Sequence, residues 1–434
     1  MQLYSTNNRQ LRVTLREAVL KGLPADGGLY LPVEIPKLSP DFFANIKNYS
    51  LNEIAFKVSS ALLGNEIPEA DLRRIIDQAI TFDAPIVHIK DNMYALELFH
   101  GPSLAFKDFG ARFMASLMSY YLNQDNSSAI NILVATSGDT GSAVAHGFLN
   151  MENIKVTILY PSNKVSIIQE QQLTTLGNNI TALEVAGTFD DCQRMVKQAF
   201  LDPYLTHKLV LSSANSINIS RLIPQSFYYF YAYAQLSQQP LIFSVPSGNF
   251  GNLCGGLIAK RMGLPIAKFI ASTNINDVIP QYLTTGIFNP RASITTIANA
   301  MDVGNPSNFA RICALYSNDI QQIRQDIIGK SYTDIQIKAT IKIVADKFGY
   351  ILDPHGAVAY LGLNDFIMEN NIKNVNGVLL ETAHPAKFHT DVEKILKHKI
   401  DIPLSLKHAM EKKKNSIPIN ADFNELKEFL LHSI

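Results

Sequence analysis

Lys107 is the residue of this sequence with the clearest capacity for covalent chemistry. It lies in the stretch FHGPSLAFKDFGARF, residues 99–113, which carries few other charges. A neutral lysine amine attacks an aldehyde to form a Schiff base, and desolvation or a neighbouring cation favours the neutral form. Gly101 and Pro102 predict a turn and Ser103 a helix cap, so Lys107 would lie in the first turns of a helix. A structural lysine with a buried stem fits this local context equally well.

Two loops are candidates for binding a phosphate. They are ATSGDTGSAVAHGF, residues 135–148, and VPSGNFGNLCGGLIAK, residues 245–260. Each follows an apolar stretch, turns through two glycines and enters a helical pattern, so backbone N–H groups and a positive helix end would face a ligand. Neither matches GxGxxG or a Walker A motif, which weakens a nucleotide-binding interpretation. A tight turn explains either loop alone, and the occurrence of two favours anion binding.

A third junction, SSANSINISRLIPQ at residues 212–225, offers polar groups just after a predicted strand. The amides, hydroxyl and guanidinium of Asn215, Ser216, Asn218 and Arg221 suit a second anion, because arginine recognises phosphate through paired hydrogen bonds. Taken by itself, the stretch is explained better by a helix cap and an arginine paired on the surface.

The segment ETAHPAKF, residues 381–388, places Thr382 at the end of a predicted strand, and Pro385 favours a helix start there. In parallel α/β folds, ligands bind at the carboxyl ends of strands, so the Thr382 hydroxyl is a candidate site group. His384 and His389 have the spacing H-x4-H and no nearby third ligand, so we expect no metal site.

These features together match the parts that pyridoxal phosphate needs in a protein. That cofactor requires an amine, a phosphate-binding loop and a partner for its ring nitrogen. The sequence offers a candidate Schiff-base lysine, two glycine-containing anion loops and an uncharged hydroxyl at a strand end. Their co-occurrence favours a cofactor lysine at position 107 over a structural one.

The elements that must position these residues alternate between strands and helices. Helical patterns separate seven apolar stretches: NILVAT at 131, IKVTILYP at 154, ITALEV at 180, LVLSS at 209, PLIFSVP at 240, KFIAST at 268 and GVLLET at 377. Strands buried on both faces have this composition, and their alternation with helices predicts parallel sheets. We therefore expect an α/β fold with two three-layer lobes.

The beginning of the chain predicts a mostly helical domain. Thr14 and Glu17 have capping-box spacing before a helix that Gly22 would end. Residues 51–63 and 68–80 place apolar side chains at helical spacing. The stretch PADGGLYLP predicts a turn into a short strand.

Composition and charge exclude several classes of function. The chain has 434 residues, and its 38 basic and 38 acidic residues cancel, so nucleic acid is not the expected main partner. Three scattered cysteines predict no disulfide framework, and no apolar segment resembles a secretory signal, so we expect a cytoplasmic protein. The longest charge-free stretch, 222–259, contains Pro, Asn and Gly, and it predicts buried soluble structure rather than a membrane span.

The ordered set of motifs resembles the threonine synthases of the bacterial and fungal type, which have an extended N-terminal domain. The matching segments are REAVLKGLPADGGLYLP, FHGPSLAFKDFGARFM, ATSGDTGSAVAH, NSINISRLIPQ, VPSGNFGN, NAMDVGNPSNF and TAHPAKF, in order along nearly the whole chain. The resemblance implies a pyridoxal-phosphate enzyme of the tryptophan synthase β-like fold (fold type II). It implies conversion of O-phospho-L-homoserine and water to L-threonine and phosphate, the last step of threonine biosynthesis. We expect an N-terminal domain at 1–90, a large domain at 91–125 and 218–434, and a smaller domain at 126–217.

The resemblance also implies a role for each matching position. Lys107 would bind the cofactor as a Schiff base and then move protons, Thr382 would hydrogen-bond the ring nitrogen, and Asp139 would face the phenolic oxygen. More distant relatives have Asn in place of Asp139, so its protonation stays open. The other positions are a cofactor phosphate loop (Gly248, Asn249, Phe250, Gly251 and Asn252), a group at the substrate carboxylate (Thr136, Ser137 and Thr140) and a group at the substrate phosphate (Asn215, Ser216, Asn218 and Arg221).

Alternative functions stay open at this point. A serine/threonine dehydratase or O-acetylserine sulfhydrylase of the same fold would bind no substrate phosphate, which the cluster at 215–221 argues against. A non-catalytic homologue would be expected to have lost the lysine or a loop glycine. A phosphosugar- or nucleotide-binding protein that uses the glycine loops alone would be colourless. The sequence does not determine the oligomeric state, for which we favour a monomer over a dimer.

Overall fold

The computed structural model of the chain describes residues 1–125, 129–236 and 239–432. The strands are β1 (Gln2–Ser5), β2 (Arg12–Thr14), β3 (Tyr30–Pro32), β4 (Ile86–Lys90), β5 (Met93–Glu97), β6 (Ile130–Ala135), β7 (Ile154–Pro161), β8 (Ile180–Ala186), β9 (Val210–Ser213), β10 (Leu241–Pro246), β11 (Ile266–Thr273), β12 (Ile327–Ser331), β13 (Gly377–Glu381) and β14 (Ile417–Asn420). The helices are α1 (Leu15–Lys21), α2 (Pro40–Asn45), α3 (Leu51–Leu63), α4 (Glu69–Ala79), α5 (Lys107–Asp125), α6 (Asp139–Phe148), α7 (Ile167–Thr174), α8 (Phe189–Leu201), α9 (Pro203–Lys208), α10 (Ile219–Leu222), α11 (Phe227–Leu236), α12 (Gly251–Arg261), α13 (Val278–Thr285), α14 (Phe309–Leu315), α15 (Ile320–Asp326), α16 (Asp334–Phe348), α17 (Pro354–Glu369), α18 (His389–Leu396), α19 (Leu404–Glu411) and α20 (Phe423–His432). None of the helices in the described ranges has both the length and the apolar character needed to cross a membrane.

The N-terminal region combines four helices with a small antiparallel sheet of strand order β2-β1-β3. Thr14 and Glu17 form the predicted capping box of α1, and Gly22 ends that helix with a φ of 75°. Helices α3 and α4 confirm the predictions at 51–63 and 68–80. Strand β3 confirms the short strand predicted in PADGGLYLP. The prediction of a mostly helical domain left out β1 and β2, because strands of three or four residues are too short to show an alternating pattern.

The larger of the two main sheets has six strands in the order β12-β11-β10-β13-β5-β4. Neighbouring strands are parallel except for the antiparallel pair β4–β5. Successive residues of β10 point to opposite faces: Phe243 packs in a core with α11 and α12, and Ile242 packs in a second core with α16 and α17. Helices on both faces make this lobe a three-layer α/β structure.

The smaller sheet has five parallel strands in the order β14-β8-β7-β6-β9. Val134 of β6 packs on the face that α5 and α6 cover, whereas Leu133 packs on the face covered by α8 and α20. Both sheets therefore confirm the prediction of two three-layer α/β lobes. Strands β6 to β11 and β13 confirm the seven strands predicted from the apolar stretches.

The C-terminal segment lies with the smaller lobe, although the sequence analysis assigned it to the larger domain. Strand β14 pairs with β8 from Ile417 to Asn420, and α20 packs against α8. A four-residue stretch that contains Pro418 carries no local signal for a partner strand so distant in the chain. Apart from this correction, the proposed domain boundaries stay a prediction.

The strands that the sequence pattern missed are short or lie near sheet edges. The stretches IVHIK of β4 and MYALE of β5 form a hairpin and mix polar with apolar residues. The stretch IIGKS of β12 is only partly apolar and lies at the sheet edge beside β11. These segments become strands because a neighbouring strand offers backbone partners, and their own composition does not indicate it.

Candidate active site

Lys107 begins helix α5, and the loop before it is hydrogen-bonded to the segment that follows β13. The N–H of Phe106 donates to the carbonyl of Thr382 over 2.8 Å, and the N–H of His384 donates to the carbonyl of Leu104 over 3.1 Å. Leu104 has a φ of 54°, a left-handed conformation that a leucine adopts only when its surroundings impose it. These backbone bonds bring the candidate amine and the candidate hydroxyl together from distant parts of the chain.

The Lys107 amine lies in a partly enclosed position beside one carboxylate. Its side chain is 18% exposed, and Nζ lies 3.8 Å from Oδ2 of Asp139. Burial lowers the pKa of Lys107 below its ordinary value; Asp139 opposes this effect, and the cations of Lys387 and Arg221 add to it. A lowered pKa increases the fraction of neutral amine, which is the nucleophilic form.

Asp139 is the most strongly engaged side chain around Lys107. Its Oδ1 accepts hydrogen bonds from Lys387 Nζ over 2.7 Å and from Gln169 Nε2 over 2.9 Å. Burial alone would raise the pKa of Asp139, but Lys387 and Lys107 outweigh burial and hold this pKa below its ordinary value. The lowered pKa favours the ionised form of Asp139, whose protonation the sequence analysis left open.

The candidate cofactor phosphate loop joins β10 to α12. Phe250 has a left-handed φ of 60° and precedes the first residue of α12, Gly251. Among the described residues, no acceptor contacts the backbone N–H groups of residues 248–252. A Cβ at Gly248 would lie 2.6 Å from the carbonyl oxygen of Ala300, so only glycine fits there. The loop thus presents donors without acceptors in the described residues at a helix N-terminus, which makes it a candidate anion site.

Two asparagines of this loop hold its shape. Asn249 accepts two hydrogen bonds from Ser307, at 2.7 Å from the backbone N–H and 2.9 Å from Oγ. Asn252 donates to the carbonyl of Pro246 over 2.8 Å and accepts from Ser247 Oγ over 3.0 Å. Both amide side chains are hydrogen-bonded within the protein. The backbone N–H groups of the loop are therefore the part that is available to a ligand.

A second set of free donors lies where β6 leads into α6. Thr136 Oγ1 accepts from the N–H groups of Gly138 and Gly141 over 3.0 and 2.8 Å, which makes Thr136 a support of the loop. In the described part of the chain, no acceptor contacts the N–H groups of Asp139 and Thr140 at the start of the helix. Ser137 and Thr140 are half-buried, so their hydroxyls stay accessible to a small ligand.

Arg221 is a buried cation with unused hydrogen-bonding capacity. Its side chain is 3% exposed, one terminal nitrogen donates to the carbonyl of Ala214, and Nε contacts no acceptor in the described residues. Burial lowers the pKa of Arg221 to about 10, an effect that the charge of Asp108 opposes. The buried Oδ1 of Asn215 is likewise without a partner. Buried donors without partners are costly, and an anionic ligand would satisfy Arg221.

Ser216 and Asn218 have different surroundings. Ser216 Oγ accepts from Asn249 Nδ2 over 3.3 Å and from Asn308 Nδ2 over 3.2 Å, so it links the two candidate phosphate sites. Asn218 is fully buried; its Nδ2 donates to the carbonyl of Val19 over 2.9 Å, and its Oδ1 caps helix α10. The contacts of Asn218 favour a supporting role over the predicted contact with substrate.

Thr382 directly follows β13, and its neighbourhood contains two buried acids, Glu381 and Asp353. Among the described residues no hydrogen bond engages its hydroxyl, whereas the next N–H, of Ala383, donates to Asp353 Oδ2 over 3.0 Å. Burial and Asp353 raise the pKa of Glu381 well above its ordinary value, which favours its neutral form. His355 donates from Nδ1 to Asp353 over 2.9 Å and accepts at Nε2 from the N–H of Ala300, which lies against the phosphate loop.

Sequence reasoning missed several residues that build this site. Lys387, Gln169 and Arg311 all contact a predicted site residue or its loop. Lys387 lies inside the quoted motif TAHPAKF, which was the available signal. In the described ranges no group of three His, Cys, Asp or Glu side chains could hold a metal ion.

The residues present fit pyridoxal phosphate. An amine with a lowered pKa, a phosphate-sized loop of free N–H groups and an unengaged hydroxyl are the three parts that this cofactor requires. The space around Gly248 leaves no room for a side chain, as expected where a ligand approaches the backbone closely.

Comparisons with known proteins agree with this fit. A family profile described as pyridoxal-phosphate dependent enzyme matches residues 83–380, and profiles for the threonine synthase N terminus and C-terminal region match residues 2–80 and 356–430. The threonine synthase of Buchnera aphidicola subsp. Baizongia pistaciae is 45% identical over 99% of this chain and 100% of its own length.

Two solved structures extend the similarity to the fold. The threonine synthase of Escherichia coli superposes with a TM-score of 0.93 at 41% identity, over 100% of both chains. The pyridoxal-phosphate-bound threonine synthase of Brucella melitensis superposes with a TM-score of 0.94 at 35% identity, over 100% of this chain and 99% of its own. The chain therefore belongs to the threonine synthase family of pyridoxal-phosphate-dependent enzymes.

Proposed function

We propose that this chain converts O-phospho-L-homoserine and water into L-threonine and inorganic phosphate. Family membership supports the activity, and the observation that carries the choice of substrate is the buried Nε of Arg221, which has no acceptor in the described residues. Its cluster with Asn215 belongs to a different loop from the N–H groups of 248–252, and the hydrogen bond from Asn249 Nδ2 to Ser216 Oγ joins the two loops. Two anion sites suit a reaction in which cofactor and substrate each bring a phosphate group.

Lys107 carries the proposed chemistry. Pyridoxal phosphate, when bound, supplies an aldehyde for an amine to attack and an electron sink for charge at the substrate's α-carbon. The lowered pKa of Lys107 makes its Nζ a nucleophile and afterwards a base that removes a proton from carbon. In this proposal the N–H groups of 248–252 bind the cofactor phosphate and the Thr382 hydroxyl faces the ring nitrogen.

The substrate would be held at both of its charged ends. The N–H groups of Asp139 and Thr140, at the positive end of α6, are free to bind the α-carboxylate. Arg221 would bind the phosphate through Nε and a terminal nitrogen. Once the phosphate has left the γ-carbon, Arg221 would keep it beside the site, where it is placed to assist the addition of water as a base.

The test is a product assay on the purified protein. We expect absorbance from bound pyridoxal phosphate, and equal amounts of threonine and inorganic phosphate formed from O-phospho-L-homoserine. Ammonia release from L-threonine without phosphate release from phosphohomoserine would show a dehydratase and overturn the proposal. A colourless protein that binds no pyridoxal phosphate would overturn the assignment of the cofactor site itself.

A cytoplasmic location and a monomeric state stay predictions. The three cysteines are unpaired in the structure, and two of them are buried, which is the condition that a reducing compartment maintains. Cell fractionation checks the location. Light scattering of the purified protein at several concentrations checks the oligomeric state.

A further inference from the structure

Lys387 is a fully buried cation that the reaction proposed above does not use. It lies in the short helix Pro385–Phe388, just after Thr382. Its Nζ donates to Oδ1 of Asp139 over 2.7 Å and to the carbonyl of Ser103 over 2.7 Å. The ammonium thus joins the smaller lobe, which carries Asp139, to the loop that precedes Lys107.

Two ammonium groups compete for the one carboxylate of Asp139. Lys387 contacts Oδ1 at 2.7 Å, whereas Lys107 lies 3.8 Å from Oδ2, beyond hydrogen-bond distance. A buried, unpaired carboxylate beside Lys107 would attract a proton to that amine and hold it in a salt bridge. Because Lys387 already neutralises Asp139, Lys107 is not the primary partner of this carboxylate.

We propose that Lys387 is a positioning residue that keeps Asp139 ionised and paired, and thereby leaves the Lys107 amine free to react. The inference deepens the proposed function, since it rests on Lys107 as the lysine that binds the cofactor. It explains why this chain has an aspartate at a position where an uncharged asparagine would place no charge beside the amine. An aspartate at this position leaves the Lys107 amine free only if a second cation pairs with the carboxylate.

The charged groups that face Lys107 come from four elements. They are Asp139 of α6, Lys387 of the helix Pro385–Phe388, Arg221 of α10, and Asp353, the cap of α17. Removal of Lys387 would take away a cation that lowers the pKa of Lys107 and would leave Asp139 free to raise it. Both changes favour the protonated amine, and Arg221 and Asp353 would be unaltered.

A purely structural role for Lys387 makes a different prediction. If Lys387 served only to compensate the burial of Asp139, its loss would reduce stability without altering the ionisation of Lys107. The experiment therefore measures ionisation in four proteins: the wild type, K387M, D139N and the double variant D139N/K387M. The double variant contains no charge at either position and is the matched control for folding.

Each holoenzyme would be stripped of its cofactor and mixed with pyridoxal phosphate from about pH 6 to about pH 10, while the rate of cofactor capture is followed by absorbance. Only the neutral amine reacts, so the midpoint of the rate profile reports the ionisation of Lys107. We expect the midpoint of K387M to move up by about one pH unit or more, that is, about tenfold slower capture at neutral pH. The midpoint of D139N should move down, and that of the double variant should lie between the two, near the wild type.

The outcomes separate this inference from the proposed function. A K387M profile identical to the wild type, or a double variant with the same profile as D139N, would overturn the role of Lys387. If K387M does not fold, the comparison of D139N with the double variant still tests the role of Lys387. In that comparison the midpoint of the rate profile must lie at higher pH in the double variant than in D139N. Capture by K107A with unchanged absorbance would instead overturn the assignment of Lys107 and the proposed function with it.

Discussion

Two buried arginines, Arg221 and Arg311, flank the loop at residues 214–218 and differ in what their N–H groups contact. Arg311 has no exposed surface and donates to the carbonyls of Tyr30, Ser216 and Ile217 and to Asn308 Oδ1, at distances from 2.6 to 3.2 Å. Arg221 donates to one carbonyl, that of Ala214, and its Nε has no acceptor among the described residues.

The difference separates the supporting side of the loop from its ligand-binding side. Nearly all buried donors in folded proteins are satisfied, so a buried cation with an unused donor calls for a functional explanation. The burial of Arg311 is explained by its hydrogen bonds to backbone carbonyls, one of which belongs to the N-terminal sheet. Arg221 is explained only when an anion is present. Each prediction below tests this difference between the supporting side and the ligand-binding side.

The largest effect is expected at Lys107, on the ligand-binding side. Substitution K107A should reduce turnover by at least about a thousandfold, because it removes both the nucleophile and the base. The free energy of unfolding should change little, since the amine has no hydrogen bond within 3.5 Å among the described residues. Phosphate release and urea denaturation measure the two quantities. Variant K342A, at a surface lysine, is the control, and substantial activity in K107A would refute the assignment.

The next effect is expected at Arg311, on the supporting side. Substitution R311M should lower the free energy of unfolding by about 3–5 kcal/mol, because a buried carbonyl, two partly buried carbonyls and the buried Asn308 side chain would lose their donor. Urea denaturation checks this, with R73M at a surface arginine as the control. A loss below about 1 kcal/mol would mean that Arg311 is not a support and would remove the contrast.

Arg221 should respond in the opposite way. Substitution R221M should weaken the binding of phosphohomoserine by about 1.5–3 kcal/mol, which is about a 10- to 150-fold increase in KM. Stability should be unchanged or higher, because a buried cation with an unsatisfied donor is removed. Initial rates across substrate concentrations and a parallel urea denaturation give both values. An unchanged KM and turnover with a loss of stability like that of R311M would place Arg221 on the supporting side.

The smallest effect concerns Asp108, the carboxylate whose charge acts on Arg221. Burial raises the pKa of Asp108 to about 6, so the folded protein keeps this proton at pH values where the unfolded chain has lost it. Stability should therefore fall as the pH rises from about 4 to about 6, by about 1–3 kcal/mol. Substitution D108N imitates the protonated form and should remove this fall.

Denaturation of wild type and D108N at a series of pH values measures the difference, with D190N at an exposed aspartate as the control. An identical pH dependence in D108N and wild type would show that folding does not raise the pKa of Asp108. In that case its carboxylate would already be charged near Arg221 at acidic pH, and the ligand-binding side would be less open than we propose.

The sequence predicted the fold well where signals are local. Helix α1 carries its own capping box and terminating glycine, and β10 is apolar except for Ser244, so both could be recognised from a few residues. Strand β14 could not, because it pairs with β8, which is far away in the chain. The site shows the same limit: Lys107 and the glycine loops have distinctive neighbours, whereas nothing around Lys387 in the sequence indicates that its amine reaches Asp139.

The sequence by itself determined the chemical groups available to this protein: one amine among apolar neighbours, glycines where two strands meet helices, and an arginine after a third strand. Only the tertiary structure decided which of these groups are left without a protein partner. The physical reason is that a hydrogen bond is satisfied by whatever lies within about 3 Å in space, and these partners come from distant parts of the chain. Arg311 hydrogen-bonds to Tyr30, which is distant in the sequence, whereas Nε of Arg221 has no acceptor in the part of the chain that the structure describes.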